Sequence, residues 1–189
     1  MNAVRIFAPL LAFVLALVSL PAWADDELWD LLRRGGQVVL VRHAVTEAGI
    51  GDPKNFRLED CTTQRNLSEE GRQHARRIGE AFRLYKVPID RVLTSPWCRC
   101  VETASLAFGK PELLPALSNL FGRSEHKQKN VDELTALVSE PRKGGNLVLV
   151  THGSTILALT RIPVQMGEVM VLTPQGGGRF ALAGRFTVP

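Results

Sequence analysis
The chain of 189 residues predicts an α/β fold, a three-layer α/β/α sandwich whose central sheet is mostly parallel. Three observations carry this expectation. Apolar runs at 37–41 (QVVLV), 90–95 (DRVLTS) and 146–152 (NLVLVTH) have the length and composition of strands. Stretches of helical period lie between them, and strands alternating with helices build parallel sheets. The first and third runs are apolar almost without interruption, as in strands covered on both faces.

In chain order, residues 1–24 read as a leader. Arg5 precedes the low-charge run FAPLLAFVLALVSLPAWA, which closes on Ala22-Trp23-Ala24, an A-x-A cleavage pattern, and is short for a membrane span. A cleaved secretory signal peptide is expected. Residues 25–189 would then form one domain, periplasmic or secreted, with no stable membrane span of its own. No Cys follows the apolar run, so lipid attachment is not expected. Without Arg5 the net charge is +3, with no basic run; this argues against nucleic acid and suits small anionic substrates.

Asp25 to Arg34 predicts a short helix with Leu28, Leu31 and Leu32 inward, stopped by Gly35-Gly36. After the first strand, residues 44–66 are polar and aperiodic with Gly49, Gly51 and Pro53, a long loop of the kind that carries function. Ser68 begins a helix with Glu69 and Glu70 in its first turn, where carboxylates complement the dipole. Ala75, Ile78, Phe82 and Tyr85 form its buried stripe, opposite Arg72, Arg76, Arg77, Glu80 and Arg83; His74 falls off the stripe and is expected in solvent. The second strand leads through Pro96 into a helix from Trp97 to Phe108. Residues 113–121 mix strand and loop signals, and Val131 to Val138 fits a short helix with Leu134, Leu137 and Val138 inward. The third apolar strand precedes a helix opening on STILALT. Residues 168–173 and 179–188 read as a hairpin around Gly176-Gly177-Gly178, with no following helix that would make the glycines a phosphate loop.

Cys61, Cys98 and Cys100 make an odd count for an oxidising compartment, so one disulfide and one free thiol are expected. Cys61 would pair with Cys98 or Cys100, since those two lie too close in sequence to join each other easily. Zinc at Cys98-x-Cys100 lacks a second ligand cluster. None of the three has the Arg six positions later that a cysteine-based phosphatase needs.

Ligands of parallel sheets bind beyond the carboxyl ends of the strands. Three strands deliver cationic or imidazole groups to that edge: Arg42-His43 after the first, Arg99 just after the second, His152 after the third. Any one alone would ordinarily meet water. Together they suit an anion, because two guanidinium forks near a helix start match phosphoryl oxygens, and an imidazole there can attack phosphorus.

These residues resemble a known family. VRHA (41–44), NLSEEG (66–71), TSPWCRCVETA (94–104), with its S-P-x-x-R-x-x-x-T pattern, and VTHG (150–153) are similar, in that chain order, to the histidine phosphatase, or phosphoglycerate mutase-like, superfamily. The resemblance implies a phosphoglycerate mutase-like sheet and His43 as nucleophile. Arg42, Arg99 and His152 would bind the phosphoryl group and stabilise its transition state, with no metal and no cofactor. Family members usually supply a carboxylic acid after the next strand or directly after the second His; here those positions hold Asn119 and Gly153. Glu125, Asp52 and Glu47 are the candidate proton donors. A missing acid would matter least for good leaving groups such as acyl phosphates or phosphohistidine.

The sequence therefore predicts a periplasmic phosphomonoesterase working through phospho-His43 on a small phosphorylated substrate. An envelope phosphosugar is one candidate, because secretion and small size are similar to lipopolysaccharide-core heptose phosphatases. The alternative is a non-catalytic phosphate-ligand-binding pseudophosphatase on the same fold, which the replaced acids would suit. The 44–66 loop is expected to cover the pocket.

Overall fold
The computed structural model describes residues 23–122 and 127–189. Apart from residues 23 and 24, the expected leader lies outside these residues, as does Glu125. The elements are α1 (Trp23–Arg34), β1 (Val38–Arg42), a 3-10 turn (Cys61–Thr63), α2 (Glu69–Leu84), β2 (Ile89–Thr94), α3 (Cys98–Phe108) and β3 (Glu112–Leu113). A second 3-10 turn (Pro115–Leu117), α4 (Lys127–Ser139), β4 (Asn146–Thr151), α5 (Gly153–Thr160), β5 (Val169–Gly176) and β6 (Arg179–Phe186) follow.

The six strands form one sheet in the order β3-β2-β4-β1-β5-β6. The ladders β3·β2, β2·β4 and β4·β1 are parallel, while β5 runs antiparallel to β1 and to β6. The strands are central because both of their faces are apolar, and each face collects every second side chain. Val39, Val41, Val148, Val150, Val169 and Val171 pack with α1, α2 and α3. Val38, Leu40, Leu147, Leu149, Met170 and Leu172 pack with α4 and α5. The three expected layers follow from that division. The terminal hairpin turns at Gly177-Gly178, where φ of 59° and 75° needs glycine.

Two expectations change. The helix expected at 131–138 is longer, α4. His74 is not in solvent: it is 7% exposed, because Gly167 lies so close that a Cβ there would sit 2.2 Å from the imidazole. Burial lowers the pKa of His74. Gly71 and Gly79 widen the buried face of α2 by letting its backbone approach Val45 and Ala107.

The parallel strands β1, β2 and β4 end at one edge, and short bonds across it lock their ends in register. His43 N–H donates to the Thr151 carbonyl at 2.9 Å, Ser95 N–H to Val150 at 3.0 Å, and Gly167 N–H to the Arg42 and His43 carbonyls.

Candidate active site
Four side chains converge beyond that edge. The His43 and His152 rings lie 5.4 Å apart, and Arg99 Nη2 is 3.4 Å from His152 Nδ1. Arg42, His43, Arg99 and His152 line one cavity of about 560 Å³. His43, Arg99 and His152 are each at most 3% exposed.

Each side chain has a local reason for its place. His43 Nδ1 lies 2.9 Å from the Ala44 carbonyl, which can only accept, so Nδ1 carries the proton and Nε2 keeps its lone pair. Burial, reinforced by the positive fields of Arg99, Arg42 and Arg65, drives the His43 pKa down to about 3. The ring is therefore neutral and nucleophilic at neutral pH. His152 is held well below the ordinary histidine value, first by burial, then because it and His43 cannot both take up a proton, and by the charges of the three arginines. Its Nε2 meets Ser95 Oγ at 2.8 Å.

Both hydroxyls of the S-P-x-x-R-x-x-x-T pattern thus acquire a role. Ser95 holds His152, while Thr103 Oγ1 donates to the Arg99 carbonyl at 2.6 Å and accepts from Ala44 N–H at 3.1 Å, tying α3 to the segment that carries His43. Arg42 donates from Nη1 to the Val164 carbonyl at 2.8 Å and lies over Gly153, where a Cβ would sit 3.2 Å from the guanidinium. A Cβ there would press on Arg42, so the guanidinium would have to give by a few tenths of an ångström.

The sequence did not single out Arg65. It lines the same cavity, bonds the Gly49 carbonyl, and its backbone carbonyl receives Arg99 Nη1 at 3.4 Å. A lone cation in an aperiodic loop carries no periodic signal. Only the fold, which brings it beside Arg99 and Asp52, gives it away. Burial lowers the pKa of both Arg42 and Arg65, and neighbouring guanidinium groups lower them further. The Nε atoms of Arg42, Arg65 and Arg99 are buried with no hydrogen-bond partner among the described residues, as is that of Arg142 away from the pocket.

The candidate proton donors fare differently. Asp52 is not an acid. Its oxygens accept from Arg99 at 2.7 and 3.2 Å, from Arg65 N–H at 3.1 Å and from the Trp97 indole at 3.1 Å. Burial alone would raise its pKa, but the Arg99 bond and charge, with the other donors, hold it below the usual carboxylate value. Asp52 therefore stays ionised and orients Arg99. Glu47 is exposed and does not line the cavity. Asn119 lines it, with its Oδ1 accepting from Ser154 Oγ at 2.7 Å and from Phe121 N–H. The start of α3 offers an anion fewer free N–H groups than an uncapped helix, because Cys98 N–H donates to Gln64 Oε1.

Cys61 is joined to Cys98, which fastens the 44–66 loop to the start of α3; Cys100 stays a buried thiol, its pKa pushed up to about 12 by burial. Among the described residues, no group of three or more His, Cys, Asp or Glu side chains converges as metal ligands would, and no helix is long and apolar enough to cross a membrane.

Comparison with known proteins agrees with this fold. The chain is similar in fold to the protein histidine phosphatase SixA complexed with tungstate, at 19% identity, covering 80% of this chain and 96% of that one with a TM-score of 0.57. It is similar to Rv3214 from Mycobacterium tuberculosis, at 16% identity, covering 82% and 99% with a TM-score of 0.61. It also resembles phosphoserine phosphatase from Entamoeba histolytica in complex with 3-phosphoglyceric acid, at 15% identity, covering 80% and 96% with a TM-score of 0.59. No curated protein matches it. A family model of the histidine phosphatase superfamily (branch 1) matches residues 38–133, half of the chain. The chain therefore belongs to the histidine phosphatase superfamily, and by that membership it is a phosphatase.

Proposed function
We propose that the protein is a periplasmic phosphatase that hydrolyses phosphomonoesters through a phosphohistidine formed on His43. The observation that carries this reading is the convergence in one pocket of His43, its Nδ1 held by the Ala44 carbonyl so that Nε2 is left to react, with Arg42, Arg99 and His152. Three guanidinium groups, with Asp52 paired to Arg99 and Glu168 acting on Arg42, leave the pocket net positive around two neutral imidazoles, which suits a phosphomonoester dianion. The periplasmic location rests on the leader-like composition of residues 1–24.

In the first step the Nε2 lone pair attacks phosphorus, the P–O ester bond breaks, and the leaving oxygen keeps the electron pair and takes a proton from solvent. In the second step water attacks phosphorus, the P–N bond breaks and its pair returns to Nε2. Phosphate leaves, and the water's proton passes to solvent. Arg42, Arg65, Arg99 and His152 stabilise the equatorial oxygens in both steps. The test is hydrolysis of an aryl phosphate, with acid-labile phosphoenzyme trapped during turnover. His43→Ala should abolish both, and Arg99→Ala should lower turnover by roughly a hundredfold or more. Wild-type activity no greater than that of His43→Ala, with saturable phosphate binding, would instead make the pocket a receptor.

A further inference from the structure
Six large apolar side chains stand exposed among the described residues, and three of them, Ile50, Phe121 and Leu157, surround the mouth of the one pocket with the cationic floor. They arrive from three separate segments: the loop after β1, the stretch following the second 3-10 turn, and α5. Apolar groups gathered at a rim over a charged floor mark a place where a ligand removes them from water. A second cavity of about 310 Å³ shares Ile50, Gly51, Asn119 and Phe121 with the first and continues to Phe56 and Trp97, whose rings lie 5.8 Å apart. The polar groups at the rim are Asn119, whose Oδ1 accepts from Ser154 Oγ and Phe121 N–H, and Ser154 itself, and the second cavity adds Asp52 and Lys54.

We infer that the substrate carries an apolar, aromatic group directly beyond its ester oxygen, so that the phosphoryl group rests on the cations while the ring lies between Ile50, Phe121 and Leu157. This rests on the phosphatase reading above. A phenolate can depart with the P–O electron pair and be protonated later by solvent, whereas an alkoxide needs its proton during cleavage, and Asp52 beside the pocket is committed to Arg99.

The experiment compares KM for 2-naphthyl phosphate, n-hexyl phosphate and glucose 6-phosphate in the wild type and in Phe121→Ser and Leu157→Ser, with inhibition by inorganic phosphate measured alongside. Because aryl esters are intrinsically more reactive, KM and the response to the variants are the deciding readouts. Each variant should raise KM for the naphthyl ester by about tenfold, the scale of one lost apolar side-chain contact, and leave phosphate inhibition unchanged. Equal KM for the naphthyl and glucose esters, or a naphthyl KM that neither variant moves, would overturn the inference while leaving the phosphatase reading intact. Calorimetric binding of 2-naphthyl phosphate to His43→Ala tests the rim without turnover. Binding weakened by Phe121→Ser supports the apolar mouth, and unchanged binding refutes it even if no ester is hydrolysed.

Discussion

At the scale of single residues, the pocket is a balance of buried charge. Asp52 and Arg99 are 5% and 1% exposed, so neither ion can turn to water if its partner is lost. Asp52→Ala should destabilise the fold by about 3–5 kcal/mol, the usual cost of stranding one member of a buried pair. Added inorganic phosphate should raise the melting temperature of that variant more than that of the wild type, because the dianion replaces the missing negative charge. An equal phosphate response would show that the pair is not part of the anion site. The histidines set the acid limit. His43 has a folded pKa of about 3 against an ordinary 6.5, so between those values the unfolded chain binds a proton that the folded one refuses. Its contribution is complete above pH 6.5 and is lost as pH falls towards 3, and His152 and His74 act in the same direction. Melts from pH 7.5 to 4.5 should therefore show a falling Tm, with a shallower fall in His43→Gln.

At the scale of elements, α2 and α3 set the separation between the His43 segment and Arg99. Their approach depends on Gly79, where a Cβ would sit 2.0 Å from the Ala107 carbonyl oxygen, and backbone cannot step aside as a flexible side chain can. Gly79→Ala should cost roughly 1–3 kcal/mol by overpacking. That corresponds to about 2–4 °C of Tm per kcal/mol for a chain of this size. A variant with unchanged Tm would show that the helices can slide apart without loss. The buried stripes of α1, α2 and α4 were legible in sequence because each is a local 3.6-residue pattern. His74 was not, because its burial comes from Gly167, far along the chain.

For the whole molecule, the Cys61–Cys98 bridge joins positions 37 apart and encloses Gln64, which caps the start of α3, and Arg65, which lines the pocket. Reduction should remove roughly 3–4 kcal/mol on the chain-entropy account, and it should lower kcat/KM as well, since Arg65 and the Asp52 contact belong to the loop it fastens. Unaltered kinetics in dithiothreitol, with Tm lowered, would assign the bridge to stability alone. The amino-acid sequence by itself determined the α/β class, the parallel edge and its four side chains in chain order, because continuous apolar strands and helical periods are local patterns. Tertiary structure alone decided three things. It paired Cys61 with Cys98 and not Cys100, which lies about 200° further round the helix, on its buried side. It turned Asp52 from a candidate acid into the counter-ion of Arg99, and it brought Arg65 and the apolar rim to the pocket. Each of these is a contact between segments with no shared period, settled by the packing of one loop against a helix start, where charge, burial and chain closure act together.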